Sequence, residues 1–293
     1  MNLKTKVLVL GSTGMLGHQV VNYLSQFENF EVSDIAYRIS LREETIIVDA
    51  MDKVRLEQVI ILIKPDFIVN CIGVLVSGSR NEGKAIYLNA YLPNFLLELA
   101  ISINSKLIHI STDCVFSGSM GGYIETDYKD GYGIYSQTKI LGEYDDASHL
   151  ILRTSFIGPE LKKDGEGLFH WFMKQTGTIN GFNNSVWSGV TTVELAKAIK
   201  WSIDENITGL YHVTNNNSIT KHDLLKLFQK YTEKDIIIKI NNNQPSNKTF
   251  RDTRLLLNYR IPSYEKMISN MVDSIADNSA QYSQYKVCVF DKK

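Results

Sequence analysis

The sequence predicts an α/β chain: a doubly wound parallel sheet with a smaller C-terminal lobe. Three observations lead there. Short β-branched runs alternate with amphipathic helical patterns through the first half, which is how βαβ units and a buried parallel sheet read in sequence. The first run passes straight into Gly11-Ser12-Thr13-Gly14-Met15-Leu16-Gly17, a glycine-rich turn that opens the first helical pattern. The fifth run ends in Ser111-Thr112-Asp113, polar residues at the strand's carboxyl end, where open α/β sheets bind ligands.

Taken in order, Val7 to Leu10 is the first strand. Leu16, Val20, Val21, Leu24 and Phe27 recur at helical spacing, so residues 14–27 form a helix with one apolar face. Glu31 to Tyr37 is strand two and Thr45 to Val48 strand three. Lys53 to Lys64 is a helix halted before Pro65, because proline disfavours helical geometry in the residue ahead of it. Phe67 to Ile72 is strand four, residues 84–103 a long helix, Lys106 to Ser111 strand five, Ile134 to Ser148 a helix and Leu150 to Arg153 strand six. Residues 1–154 therefore read as a Rossmann domain.

Beyond residue 155 the rhythm is irregular. A loop at Lys163 to Gly167 precedes a helix carrying Leu168, Trp171 and Phe172, then a short strand around Ile179. Val193 to Ser202 is a helix, Leu210 to Val213 a strand, Lys221 to Tyr231 a helix and Ile236 to Ile240 a strand. Residues 155–293 are mainly the lobe, with segments near 186–215 expected to return to the sheet. No element is assigned after Ile240, and the tail from Asp273 is polar apart from Val287 to Phe290.

The 293 residues include 31 basic and 32 acidic ones, a net charge of -1. That balance makes no case for nucleic-acid or anionic-membrane binding. No run approaches a membrane span, and the first apolar run is too short for a secretion signal. Cys71, Cys114 and Cys288 are far apart and lack metal-ligand spacing, which points to free thiols in a reducing compartment. A cytoplasmic chain is expected, with a homodimer left open. The six histidines are scattered, and no metal is expected.

The glycines of the first turn let the backbone bend sharply and approach a pyrophosphate, while the helix N-terminus behind it favours negative charge. Gly11, Thr13, Gly14, Met15, Leu16 and Gly17 are therefore expected to hold a dinucleotide. The end of strand two offers Tyr37 and Arg38, with Asp34 inside the strand. An arginine there pairs with a 2′-phosphate, so NADPH is favoured, with NADH the alternative; a solvated surface role for Arg38 is the competing reading. Asp49, after strand three, is a candidate for the adenine amino group.

Tyr135 and Lys139 stand four residues apart on one helical face. An ammonium beside a phenol stabilises phenolate and brings the tyrosine toward acid–base work. The spacing alone is weak, since Tyr282 to Lys286 repeats it in the tail. The decisive context is the preceding strand end, where Thr112 is able to donate to a carbonyl oxygen as Tyr135 supplies a proton. A capping role for Thr112 and a turn role for Asp113 are the structural alternatives.

At these residues the chain resembles the extended short-chain dehydrogenase/reductases, in particular the dTDP-4-dehydrorhamnose reductase branch. The resemblance rests on Gly11 to Gly17, Asn70-Cys71-Ile72-Gly73, Asn89, Ser111 to Gly118, Tyr123 with Glu125, Tyr135 to Lys139 with Gly142-Glu143, Arg153-Thr154-Ser155 and Gly209 to Val213. It implies a triad of Thr112, Tyr135 and Lys139, cofactor contacts at Cys71, Ile72, Gly73, Ser111 and Ser155, nicotinamide contacts near Ser155 and Phe156, and a sugar nucleotide lying in the C-terminal lobe. Val74, Phe116, Trp187 and Arg251 are the candidate substrate contacts, with Arg254 an alternative for the diphosphate. The stretch Val74 to Gly83 is longer and more apolar at its start than the branch implies, and Gly181 to Thr191, with Trp187-Ser188-Gly189-Val190, resembles a sister group from polysaccharide gene clusters.

The implied reaction is NAD(P)H-dependent reduction of the C4 keto group of a nucleotide-activated 6-deoxy sugar, in polysaccharide or surface-glycan precursor synthesis. Dehydration needs an acid pair after the threonine, and Asp113 is followed here by Cys114. The alternatives are a nucleotide-sugar epimerase and a non-catalytic dinucleotide-binding regulatory subunit.

Overall fold

The computed structural model describes residues 4–254, 259–285 and 287. Cys288, Lys286 and most of the apolar end of the tail lie outside the described residues. The first half runs β1 (Thr5–Leu10), α1 (Gly17–Leu24), β2 (Phe30–Ala36), β3 (Ile46–Ile47), α2 (Lys53–Ile63), β4 (Phe67–Asn70), α3 (Glu82–Ala85), α4 (Leu92–Ser102), β5 (Lys106–Ser111), α5 (Gly133–Leu141) and β6 (Leu150–Arg153). Then come β7 (Phe156–Ile157), α6 (Leu168–Lys174), β8 (Thr178–Phe182), β9 (Ser185–Trp187), β10 (Val190–Thr191) and α7 (Thr192–Asp204). The chain continues through β11 (Gly209–His212), β12 (Ile219–Thr220), α8 (Lys221–Thr232), β13 (Ile237–Asn241), β14 (Ser246–Asn247) and α9 (Tyr264–Asp277).

Seven strands pair in parallel in the order β11-β6-β5-β4-β1-β2-β3. This is the doubly wound sheet, and its strand order reverses between β1 and β4, where such folds open a ligand crevice. Side chains alternate across the sheet: Val7 and Val9 of β1 join a core with Val20, Leu195 and Met271, while Leu8 and Leu10 join one with Leu56, Ile60 and Leu96. Helices cover both faces, which explains why β1 reads as a continuous apolar run. The lobe carries a three-stranded sheet, β12-β9-β14, and a two-stranded one, β13-β8.

Three expectations need correction. The helix over residues 84–103 is interrupted by a π-helical turn at Ile86–Tyr91. Pro93 has no N–H to return to the Asn89 carbonyl, so the Leu92 N–H bonds Tyr87 instead and the ladder slips by one residue. The helix from Ile134 stops at Leu141 rather than Ser148: Gly142 lies against the Asn89 carbonyl, and Asp146 then folds a turn by accepting from the Ser148 N–H at 2.7 Å. After Ile240 the chain is not featureless, because α9 buries Met267, Ile268, Met271, Val272 and Ile275 at helical spacing. The polar tail beyond it buries Tyr282 and Tyr285.

Candidate active site

The phosphate loop is built by close approach. Gly11 adopts φ 81°, and a Cβ on Gly17 would stand 2.1 Å from the Gly11 carbonyl oxygen. A side chain at either position breaks the turn. Gly11 also abuts Ile72, so β1 and β4 present their ends together. Thr13, Gly14 and Met15 are partly exposed and Leu16 is buried; Met15 lies against Gly167. The Ser12 hydroxyl is buried with no hydrogen-bond partner. Behind the loop, His18 Nδ1 reaches the Gly14 carbonyl at 2.7 Å and Nε2 meets the Tyr282 hydroxyl at 2.8 Å. Burial lowers the His18 pKa to about 4, so the neutral ring donates through Nδ1 and accepts from Tyr282, whose oxygen accepts in turn from Gln19.

At the end of β2 Arg38 is exposed and lies over the Tyr37 ring at 4.3 Å, donating to its hydroxyl at 2.8 Å. Asp34 is buried and accepts from Arg42 Nε at 2.7 Å and Thr45 Oγ1 at 2.8 Å, so its carboxylate is already engaged. Asp49 accepts from the Met51 N–H at 2.9 Å in the turn leading to α2.

Thr112 and Tyr135 come together at the carboxyl end of β5, and Lys139 reaches the same strand at Ile110. Thr112 caps a 3-10 turn, Asp113–Val115; its hydroxyl accepts from the Cys114 N–H at 3.2 Å, donates to Asp113 at 3.0 Å and reaches the Tyr135 phenol. The capping role and the proximity to the phenol therefore coexist. Lys139 is buried, with its ammonium donating to the Ile110 carbonyl at 2.8 Å. The expected lowering of the Tyr135 pKa is not found: burial and the neighbouring Cys114 push the phenol up, against the Thr112 hydrogen bond. Lys139 is turned to β5, and burial pulls its own pKa down to about 8. Cys71, beside the loop, is pushed up to about 12 by burial and stays a thiol.

Behind the triad sits a buried ionic cluster. Glu143, one turn beyond Lys139, accepts from Arg153 at 2.9 and 2.7 Å and from the Ser111 hydroxyl, while Arg153 also bonds His212 at 2.8 Å. Burial pushes the Glu143 carboxyl up, but the Arg153 contacts outweigh it and hold it below the usual range. On the opposite wall, Trp187 Nε1 donates to Ser155 Oγ at 2.9 Å, joining two expected ligand contacts. The backbone of Val74, beside Gly73, is clamped by Asn89, whose Oδ1 accepts at 2.9 Å and whose Nδ2 donates at 3.1 Å.

Two substrate assignments are corrected. Phe116 is 0% exposed, stacked on Tyr123 at 4.2 Å and edge-on to Phe250, so it supports the wall from inside the core rather than lining the cleft. Arg254 lies over Tyr211 and against Gly209, at the amino end of β11, away from the strand ends that carry the triad. Arg251 is exposed beside Gly122.

Residues 5–256 match the family model described as the RmlD substrate binding domain. The chain belongs to that family. Methionine adenosyltransferase 2 subunit beta of Bos taurus is 26% identical over 234 residues, covering 75% of this chain and 70% of the relative. The dTDP-4-dehydrorhamnose reductase of Mycobacterium tuberculosis (strain CDC 1551 / Oshkosh) is 26% identical over 171 residues, 53% of this chain and 56% of its own. In fold, the chain is similar to the dTDP-4-dehydrorhamnose reductase of Bacillus anthracis str. Ames, solved in complex with NADP, with a TM-score of 0.80 at 22% identity over 92% of this chain and 99% of that one.

Several residues of this RmlD-family site escaped the sequence reading. Glu143 lies just past the end of α5, and its role comes from Arg153 and Ser111, which bond it from β6 and β5. Arg42 and Tyr282 carried no local signal. Among the described residues, no helix is long and apolar enough to cross a membrane.

Proposed function

We propose that this RmlD-family chain is an NADPH-dependent reductase of the C4 keto group of a nucleotide-activated 6-deoxy sugar. The observation that carries the reading is Tyr135 beside Thr112 at the end of β5, with Lys139 bonded to Ile110 of the same strand, two strands from the glycine loop at β1. The loop fits a dinucleotide: Gly11 and Gly17 admit no side chain, and the buried Ser12 hydroxyl lacks an acceptor. When bound, the dinucleotide supplies the hydride.

The chain's own residues handle the proton and the developing charge. Burial keeps the Tyr135 phenol protonated at neutral pH, so it is a proton donor to the carbonyl oxygen. Thr112 offers a second hydroxyl to the same oxygen, and two preorganised donors stabilise the alkoxide character of the transition state. Lys139, anchored on Ile110, is placed to hold the ribose next to the reacting carbon. At the end of β2, Arg38 is exposed over Tyr37 and Asp34 is neutralised by Arg42, which favours a 2′-phosphate over a 2′-hydroxyl.

The 26% identity to a methionine adenosyltransferase subunit over three quarters of the chain favours a second reading, a dinucleotide-binding subunit without turnover. The test is oxidation of NADPH and NADH on freshly generated 4-keto-6-deoxy intermediates of dTDP-glucose and UDP-N-acetylglucosamine, with Tyr135→Phe alongside. Stoichiometric oxidation that falls by roughly a hundredfold or more in the variant supports the reductase. Cofactor binding without net oxidation refutes it and leaves the epimerase or the binding subunit.

A further inference from the structure

Between β7 and α6 the chain forms an arm, residues 158–167, built round the buried Glu160 carboxylate. The Gly167 N–H donates to Glu160 Oε1 at 2.6 Å, and the carboxylate leaves no room for a Cβ on Gly165. The arm's base is tied to the tail and to α6. The Tyr285 hydroxyl accepts from the Glu160 N–H at 2.9 Å and meets His170 Nδ1 at 2.6 Å, while Gln284 donates to the Glu160 carbonyl. His170 Nε2 meets the Lys163 carbonyl at 3.2 Å, which fixes the arm from below.

The arm's far end touches both rims of the crevice at which the strand order reverses. Gly167 lies against Met15 of the glycine loop after β1, and the Glu166 carboxylate accepts from the Ser77 hydroxyl in the turn after β4. β1 and β4 are neighbours in the sheet, so residues 166 and 167 bridge the two loops between which a dinucleotide lies in such folds. The turn after β4 belongs to Val74 to Gly83, the stretch that is longer and more apolar at its start than the family branch implies. Leu75 and Val76 are exposed, so burial of these side chains does not hold the turn. Asn89 clamps it at Val74, and the Ser79 N–H and hydroxyl bond the Leu75 carbonyl at 3.0 and 2.9 Å, which shapes the turn that presents Ser77 to Glu166. Ser77 and Glu166 are both exposed, so their contact breaks at low cost while the arm's base stays tied.

We propose that the arm and the turn after β4 close as a clasp over the dinucleotide crevice, with Ser77 and Glu166 as its latch, and that the clasp opens each time the dinucleotide enters or leaves. This rests on the dinucleotide reading of the glycine loop above. A reductase releases its oxidised dinucleotide once per turnover, so the opening step bounds the turnover rate. An epimerase that keeps its cofactor needs no such step in each cycle.

Stopped-flow fluorescence of NADPH binding to the full chain, and of its release into excess NADP⁺, tests the clasp in the wild type, Ser77→Ala and Glu166→Ala. A latch holds the clasp shut whether the crevice is full or empty, so both rates should rise together by about fivefold, the factor expected of one exposed charge-assisted contact, with the dissociation constant unchanged. Ser77→Thr keeps the hydroxyl and should keep the wild-type rates. In a second arm Ser77→Cys and Glu166→Cys are combined and bridged with a bismaleimide, each single variant treated alike to control for the native thiols. Bridging before NADPH is added should block its uptake, and bridging afterwards should keep it bound through gel filtration. Unchanged rates, a faster release matched by weaker affinity, or free exchange in the bridged protein would each overturn the clasp while leaving the dinucleotide site standing. Failure of the wild type to bind NADPH or NADH overturns the dinucleotide reading, and the clasp with it.

Discussion

Replacing Lys139 by methionine is expected to stabilise the fold while abolishing turnover. The side chain is 5% exposed, and burial lowers its pKa from 10.5 to about 8, with Glu143 working the other way. That gap corresponds to roughly 3 kcal/mol for carrying the charge into the folded state. Methionine fills a similar volume but leaves the Ile110 carbonyl without its 2.8 Å hydrogen bond, which costs about 1–2 kcal/mol. The variant should therefore be about 1–2 kcal/mol more stable at neutral pH, a rise of a few degrees in Tm. Because the folded pKa lies below the unfolded one, the charge penalty is full below about 8, shrinks as pH rises, and is gone above 10.5. Thermal unfolding of both proteins from neutral to alkaline pH should show the stability gap narrowing across that window. The wild-type kcat/KM should fall as pH rises through about 8, as the ammonium loses its proton. A methionine variant less stable than wild type at neutral pH, or a gap that does not change with pH, would refute the reasoning.

Gly17→Ala places a methyl 2.1 Å from the Gly11 oxygen; dinucleotide affinity measured by fluorescence titration should fall by at least about tenfold. Arg38→Ala removes the cation proposed to meet the adenosine 2′-phosphate, and the ratio of kcat/KM for NADPH over NADH should drop by about tenfold. Tyr282→Phe leaves His18 and Gln19 without their shared partner, which should cost about 1–2 kcal/mol in urea denaturation. It should also weaken NADPH binding, because His18 holds the Gly14 carbonyl of the phosphate loop. Unaltered NADPH affinity would show that the tail does not brace that loop.

The sheet and the phosphate turn were legible because their signals are local. Val7 to Leu10 of β1 are all apolar because both faces are covered, and glycine is required wherever backbones meet, as Gly11 and Gly17 do. Tyr135 and Lys139 were legible for the same reason, since one helical turn brings them together whatever surrounds them. The helix α9 is written just as locally, in the helical spacing of Met267, Ile268, Met271, Val272 and Ile275.

What lay beyond the sequence depends on partners distant in the chain. Phe116 looks the same whether an aromatic faces ligand or core; its stacking on Tyr123 and contact with Phe250 decided for the core. The phenol and ammonium have the expected spacing, yet their ionisation follows burial, with Glu143 acting on the ammonium and Cys114 and Thr112 on the phenol, rather than each other. Asp34 is read as a free ribose ligand or a neutralised one only when Arg42 is seen against it. Tyr282, in a polar tail, braces the first helix only because the chain returns to it after 264 residues. Periodicity and glycine chemistry act within a few residues and so are written along the sequence, whereas burial and charge pairing depend on what the folded chain brings alongside, and only the tertiary structure decides that.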